Sequence, residues 1–412
     1  MSEASAPAMR VGPRLAVMFS LETASLAAYA PLLSLHAREG LALGAWETSL
    51  IFAVGPLTAM IGPPLAGWLA DRLFRAEQGL AITSLLRAFA LALAARANTF
   101  EALLLAMALH GLFVAKSGVL LHTIAFHHLP DARRFGSARV WGTASWSAMI
   151  WATTTFIAAA GSRAGELAAI QSCFYVAAGA ALGQAVYALT LPATTPAPSS
   201  RGLRDALLAL KLFASRRFVA PLCVALLSGS LMQANLILQG LFFADPGGLG
   251  LSPSAAGRAT TASQILELTL FPFLGLLLQR FGVRKVVLIG MLAWPLRYAA
   301  YLAGGPAWFV IAAQALHGLN YALGFTGLQI AIELMAPTGL RASAQAAFIA
   351  SSSGLGNLIG QLGCGYLLAT ASDERGYDWG FIFSVPLFVG LLALAITIAG
   401  VRDPERDVPV RT

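Results

Sequence analysis

Charge is scarce in this sequence: Asp, Glu, Lys and Arg make up only 11% of its 412 residues. A water-facing domain carries about 25%, because its exterior must be solvated. A soluble globular protein is therefore excluded. Cysteine is scarcer still. Its three copies, Cys173, Cys223 and Cys364, all fall within apolar stretches, which excludes a disulfide framework and any thiolate metal spacing. No segment alternates like the strand of a lipid-facing barrel. The surplus of basic residues, 27 Lys and Arg against 19 Asp and Glu, lies in short connectors rather than in a binding tract, so nucleic acid is not an expected partner.

What is abundant is apolar: 58% of the residues. Apolar stretches of about 18 residues or more recur throughout, each long enough to cross a bilayer as a helix. Inside lipid only helices and closed barrels satisfy their own backbone groups. The expected class is an all-α membrane protein of about twelve spans, at 15–36, 47–70, 79–96, 101–124, 137–160, 167–190, 218–243, 255–279, 285–303, 307–332, 342–370 and 378–401. The first run, from Leu15, follows a short polar tail without a convincing cleavage site and reads as a retained span. Segment 192–217 is different. It contains Pro192, Pro196 and Pro198, then Arg201, Arg204, Lys211, Arg216 and Arg217, the composition of a linker. The expected organisation is a tail (1–14), a six-helix bundle (15–191), the linker (192–217), a second bundle (218–401) and a tail (402–412).

Orientation follows from the basic residues. With the N-terminus inside, one side holds Arg10, Arg14, Arg72, Arg75, Arg133, Arg134, the five linker cations, Arg280, Arg284, Lys285, Arg341, Arg402, Arg406 and Arg411. The other holds Arg38, Arg96, Arg163, Arg258 and Arg375. Eighteen against five predicts cytoplasmic termini in a cell (inner or plasma) membrane.

An internal repeat joins the two halves. Gly67-Trp68-Leu69-Ala70-Asp71-Arg72-Leu73-Phe74-Arg75 follows the second span, and Gly275-Leu276-Leu277-Leu278-Gln279-Arg280-Phe281-Gly282-Val283-Arg284-Lys285 follows the eighth. Both resemble the cytoplasmic loop signature of the major facilitator superfamily, with Phe74 in place of a glycine and Gln279 in place of the acid. The resemblance implies gating loops in which Gly67, Asp71, Arg72, Gly275, Arg280, Gly282 and Arg284 latch the halves. It also implies repeats that rock about a midplane site.

Further segments resemble the nucleoside:proton symporter family within that superfamily. They are Ala138-Arg139-Val140-Trp141-Gly142-Thr143, Leu189-Thr190-Leu191-Pro192, Ser263-Gln264-Ile265-Leu266-Glu267, Phe271-Pro272-Phe273, Ala293-Trp294-Pro295-Leu296-Arg297-Tyr298 and Leu340-Arg341-Ala342-Ser343-Ala344-Gln345. They extend over most of the chain. The resemblance implies secondary active nucleoside uptake by proton symport with alternating access, a small-molecule substrate and a proton as partners, and a monomer in the bilayer. No cofactor, metal or enzymatic activity is expected: His122, His127 and His128 have no acid at ligand spacing. A sensor, which should append a soluble signalling domain, is not expected either.

Ionisable groups within the spans are costly, so each is a functional candidate: Glu22, Arg87, Lys116, Arg139, Glu267, Arg297 and His317. Gln264 and Glu267, three residues apart, share a helix face near mid-depth. An amide and a carboxylate together can hold a sugar diol or a base edge, and the resemblance puts the carboxylate on the ribose. The alternative is a structural Glu267–Arg297 pair. Arg139, Thr143 and Trp146 form one stripe, with an aromatic face suited to a flat base; alternatively Arg139 snorkels to the nearby surface. Asn235 falls on the family's asparagine, whereas Gln233 is displaced by one residue, about 100° around the helix. In the tenth span, His317 and Tyr321 lie where the family has a tyrosine and a phenylalanine, and Ala322 lies where it has an aspartate linked to proton coupling. His317, whose imidazole titrates near neutrality when unperturbed, is the expected replacement, with Glu267 as the proton carrier; the alternative is a histidine that only hydrogen-bonds substrate. The set Glu267, Arg297 and His317 also resembles the lactose-permease type of sugar:proton symporter. A proton-coupled sugar or small organic-anion permease thus stays open, as does an uncoupled nucleoside facilitator. Glu22 is expected to pair with Lys116, Arg87 to be structural, and Glu333 with Arg341 to form part of a loop latch.

Overall fold

In the computed structural model the described residues are 11–44, 46–48, 50–58, 75–129, 135–194, 215–251, 253–337, 340–373 and 376–403. Nearly all are helical, because a backbone in lipid must bond to itself. We label the helices α1 (residues 11–40), α2 (46–58), α3 (Ala76–Arg96), α4 (Phe100–His128), α5 (Phe135–Ala158), α6 (Arg163–Ala188), α7 (Arg216–Ala244), α8 (253–281), α9 (Val283–Ala303), α10 (307–335), α11 (341–370) and α12 (Trp379–Gly400). A two-residue hairpin pairs Ser372 with Tyr377 between α11 and α12.

Eight helices among the described residues are long and apolar enough to cross a membrane: α1, α3, α4, α6, α7, α8, α9 and α12. Of the others, α2 runs up to residues outside the described set. Helix α5 carries Arg139, Thr143, Ser145 and Ser147, and α11 a run of three serines, Ser351 to Ser353. Helix α10 is interrupted at Gln314 and Ala315 and passes through a wide π turn over Leu319–Thr326. Wide turns of this kind recur at functional sites.

Several starts are written locally. The Thr99 hydroxyl accepts from Ala102 N at 3.3 Å, the Ser162 hydroxyl from Gly165 N at 3.2 Å and the Asp378 carboxylate from Phe381 N at 2.9 Å. Each satisfies a first-turn amide that has no partner inside its helix.

The apolar cores separate along the chain. Two clusters come from residues 15–191, one around Leu91 and Phe174 and one around Phe19 and Phe135; a third comes from residues 218–401 around Trp294, Phe243 and Phe383. Hydroxyls stitch helices together where lipid supplies no hydrophobic drive. Thr23 donates to Gly142 O at 2.7 Å, Ser25 to Ala177 O at 2.9 Å and Ser230 to Gly356 O at 2.9 Å.

The two sets of helices meet along α5 and α8. A Cβ on Gly136 would come within 2.3 Å of Phe271 O, so only glycine permits this approach. Midway, the Thr143 hydroxyl donates to the Glu267 carboxylate. At the far end Trp151 Nε1 donates to Thr261 Oγ1 at 3.3 Å, and the Arg258 guanidinium lies 5.2 Å from the Trp151 ring centre. The partners descend along α8 as they ascend along α5, so the helices are antiparallel.

Candidate functional site

The site is built around a bend. Helix α8 narrows into 3-10 turns at Thr261–Ser263 and Phe271–Phe273, on either side of the α-helical stretch Gln264–Leu270. Pro272 supplies no backbone N–H within the second turn, which favours the break. The short stretch aims Glu267 across the interface, where its side chain is buried. Helix α10 packs onto the same stretch at Gly318: a Cβ there would lie 2.2 Å from Glu267 N. That close approach sets the imidazole of His317 beside the carboxylate.

Glu267 is thus met from two directions. Thr143 donates to it from α5. His317 Nε2 stands 3.8 Å from Glu267 Oε2. Behind the histidine, Arg297 Nη1 meets His317 Nδ1 at 3.2 Å. A guanidinium can only donate, so Nδ1 is the acceptor and the ring proton of the neutral imidazole sits on Nε2, facing the carboxylate. The Arg297 guanidinium lies 4.5 Å from the Trp294 ring centre and 5.6 Å from that of Tyr298, stabilised by the aromatic faces. The expected alternative, a structural Glu267–Arg297 pair, is not what forms: the arginine reaches the carboxylate through His317.

A second contact bridges the halves. Arg139 Nη2 donates to the Tyr321 hydroxyl at 3.0 Å, and the guanidinium lies 5.6–6.0 Å from the ring centres of Tyr321, Phe19 and Phe271. Arg139 does not snorkel away. Its Nη1 is buried without a hydrogen-bond partner among the described residues. Tyr321 stacks on His317 on one side (6.0 Å, 7°) and on Phe325 on the other (5.5 Å, 9°). Phe325 was not singled out by sequence, although its i+4 spacing from Tyr321 was the available signal.

Four buried amide oxygens have no donor among the described residues, those of Asn235, Gln264, Gln314 and Asn320; the first two belong to residues expected in the site. Asn235 spends its amide nitrogen on Gln239, 3.1 Å away. Buried acceptors normally have partners, so these two suit hydroxyls or N–H groups of a solute. Trp146 is half-buried one turn beyond Thr143. Gln233 donates to Gln361 at 2.9 Å, an α7–α11 tie.

Elsewhere, Glu22 is bonded to Arg87, and Ser117 donates to it at 3.1 Å. Arg87 also donates to Ser117 at 2.8 Å and to Gln184 at 3.1 Å. Arg87 is fully inside the first set of helices, where an unpaired cation is costly. Lys116 is buried as well.

Of the loop residues, Gly67, Asp71 and Arg72 lie outside the described residues. In the second copy Gly275 and Arg280 lie in the final stretch of α8, and Gly282 turns the chain into α9 with φ +80°, a backbone that favours glycine. Arg284 N donates to Asp403 Oδ1 at 3.0 Å, and its Nη2 donates to Ile398 O at 2.8 Å. An acid missing at Gln279 is therefore present nearby as Asp403. Glu333 reaches Arg341 at 3.7 Å and accepts from Gln345 at 3.1 Å.

The nucleoside H+ symporter family matches the chain over residues 9–406. The chain is similar to the xanthosine permease of Escherichia coli (strain K12), 25% identical over 388 residues covering 87% of this chain and 89% of that one. It is 26% identical over 366 residues to the nucleoside permease NupG of the same organism, covering 84% of each. The crystal structure of NupG superposes with a TM-score of 0.74 at 21% identity, over 95% of this chain and 99% of that one. Matched by that family over nearly its whole length, the chain belongs to the nucleoside H+ symporter family.

Proposed function

We propose that this protein takes up a nucleoside together with a proton, alternating access to one site between residues 15–191 and 218–401. Glu267 carries the reading, because it is a buried carboxylate that belongs to one helix set and is bonded by the other. In this scheme the ribose hydroxyls donate to Glu267, Gln264 Oε1 and Asn235 Oδ1, while Arg139 and Thr143 position the solute. The base lies against Trp146 and Tyr321. Loading a proton on Glu267, with His317 Nε2–H oriented by Arg297, releases the carboxylate from Thr143 and lets the two bodies rock. The protein acts as a monomer in the cell membrane with both termini cytoplasmic, and Gly282, Arg280 and Arg284 belong to the loop that latches the closed state.

One observation favours a second reading, a proton-coupled sugar or small organic-anion permease: the unpartnered Nη1 of Arg139 suits a carboxylate. Uptake into proteoliposomes separates the two. Under an inward proton gradient, uridine and adenosine are expected to compete with labelled nucleoside, and sugars or carboxylates are not. Failure of nucleosides to compete removes the first reading. Nucleoside flux indifferent to the gradient identifies an uncoupled facilitator.

A further inference from the structure

The helix ends at His128, Phe135, Arg216, Phe281, Met335 and Arg341 adjoin the connectors that hold most of the basic residues. Between Tyr321 and this basic end lies a cavity of about 290 Å³. Its lining includes His122 from α4, Met232 from α7, Tyr321 and Phe325 from α10, and Phe348 and Asn357 from α11. Glu267 and Thr143 do not line it, whereas Tyr321, which accepts from Arg139, does.

Its walls have a definite chemistry. Tyr321 and Phe325 lie parallel, and Phe348 tilts against Phe325 with centroids 5.0 Å apart, giving a continuous aromatic surface. Opposite, the His122 ring is packed against Phe19 (5.9 Å) and Phe135 (5.3 Å), which fixes its orientation. His122 has no hydrogen-bond partner among the described residues, and its neutral imidazole offers one donor and one acceptor. Turned so that its nitrogen donates to Gly229 O at 3.1 Å and Ser352 O at 3.3 Å, Asn357 is held in the wall of the cavity. An apolar pocket with a few convergent polar groups is the ordinary form of a small-molecule site.

We infer that this cavity is a second solute site on the release path: a nucleobase stacks on Tyr321, Phe325 and Phe348 while His122 bonds its edge. The inference rests on the nucleoside reading above. It requires the solute to meet a site from the basic side that it does not meet first from the other.

The test compares the two directions. KM for uridine and for adenosine is measured in intact cells and in everted vesicles, both de-energised, for the wild type, His122→Ala, Phe325→Leu and Phe325→Tyr. The ratio of basic-side KM to opposite-side KM is expected to rise about tenfold in His122→Ala and Phe325→Leu, and to return toward the wild-type value in Phe325→Tyr, which keeps the aromatic wall. An unchanged ratio, or an equal rise on both sides, overturns the second site and leaves the nucleoside reading standing. A wild type that moves neither nucleoside in either direction overturns the nucleoside reading, and this occupant with it.

Discussion

Replacing Glu267 by glutamine tests the mechanism most directly, because it preserves shape and removes only the charge and the capacity to bind a proton. The Thr143 hydroxyl can still donate to the amide oxygen. A hydrogen bond to a charged group contributes on the order of 1.5–3 kcal/mol, against about 1 kcal/mol for a neutral pair. The variant therefore loses about 1–2 kcal/mol at each bond the carboxylate makes to solute, a five- to thirtyfold weaker Kd. Accumulation is affected far more than affinity. Glutamine carries no proton, so a gradient has nothing to act on and the internal-to-external ratio falls to about one. Uptake of labelled uridine into alkaline-inside proteoliposomes reads the accumulation, and counterflow at zero gradient reads exchange. Exchange is expected to persist with a raised KM while accumulation vanishes. Gradient-driven accumulation at the wild-type level in Glu267→Gln refutes the reasoning.

Thr143→Val, which keeps volume and removes the hydroxyl, is expected to raise KM by about three- to thirtyfold, since the carboxylate loses the donor from α5; a KM within twofold of wild type contradicts the shared-carboxylate geometry. Gly318→Ala places a methyl where 2.2 Å separates it from Glu267 N. Overpacking of this kind costs about 1–3 kcal/mol, so a lower melting temperature with reduced transport is expected, and a silent substitution counts against the close α8–α10 contact. Glu22→Gln leaves Arg87 buried and uncompensated and is expected to destabilise by on the order of 3 kcal/mol. The double variant Glu22→Gln with Arg87→Met is expected to regain most of that in a thermal unfolding assay, and strict additivity excludes the pair.

The membrane class needed no coordinates. At 11% charge the chain has no means of solvating an exterior, and in lipid a backbone has few ways to bond to itself. Arg139, Thr143, Gln264 and Glu267 stood out as candidates for a related reason: polar groups within apolar runs are expensive, so their spacing reports the face they share, whereas Tyr321 came from the family resemblance alone. What packing alone decided was which groups meet. Sequence left Glu267 a choice that included Arg297. Gly318 draws α10 onto α8 and interposes His317, because the contact distance between two helices depends on both. Glu22 met Arg87, three residues after Ser84 on α3, a pairing that no spacing in the sequence announces. Asp403 came to the α8–α9 turn from beyond α12, where no local motif points. Periodicity and composition are properties of one segment, and they determined the helices. Partners are properties of two segments, and only the assembled bundle chose them.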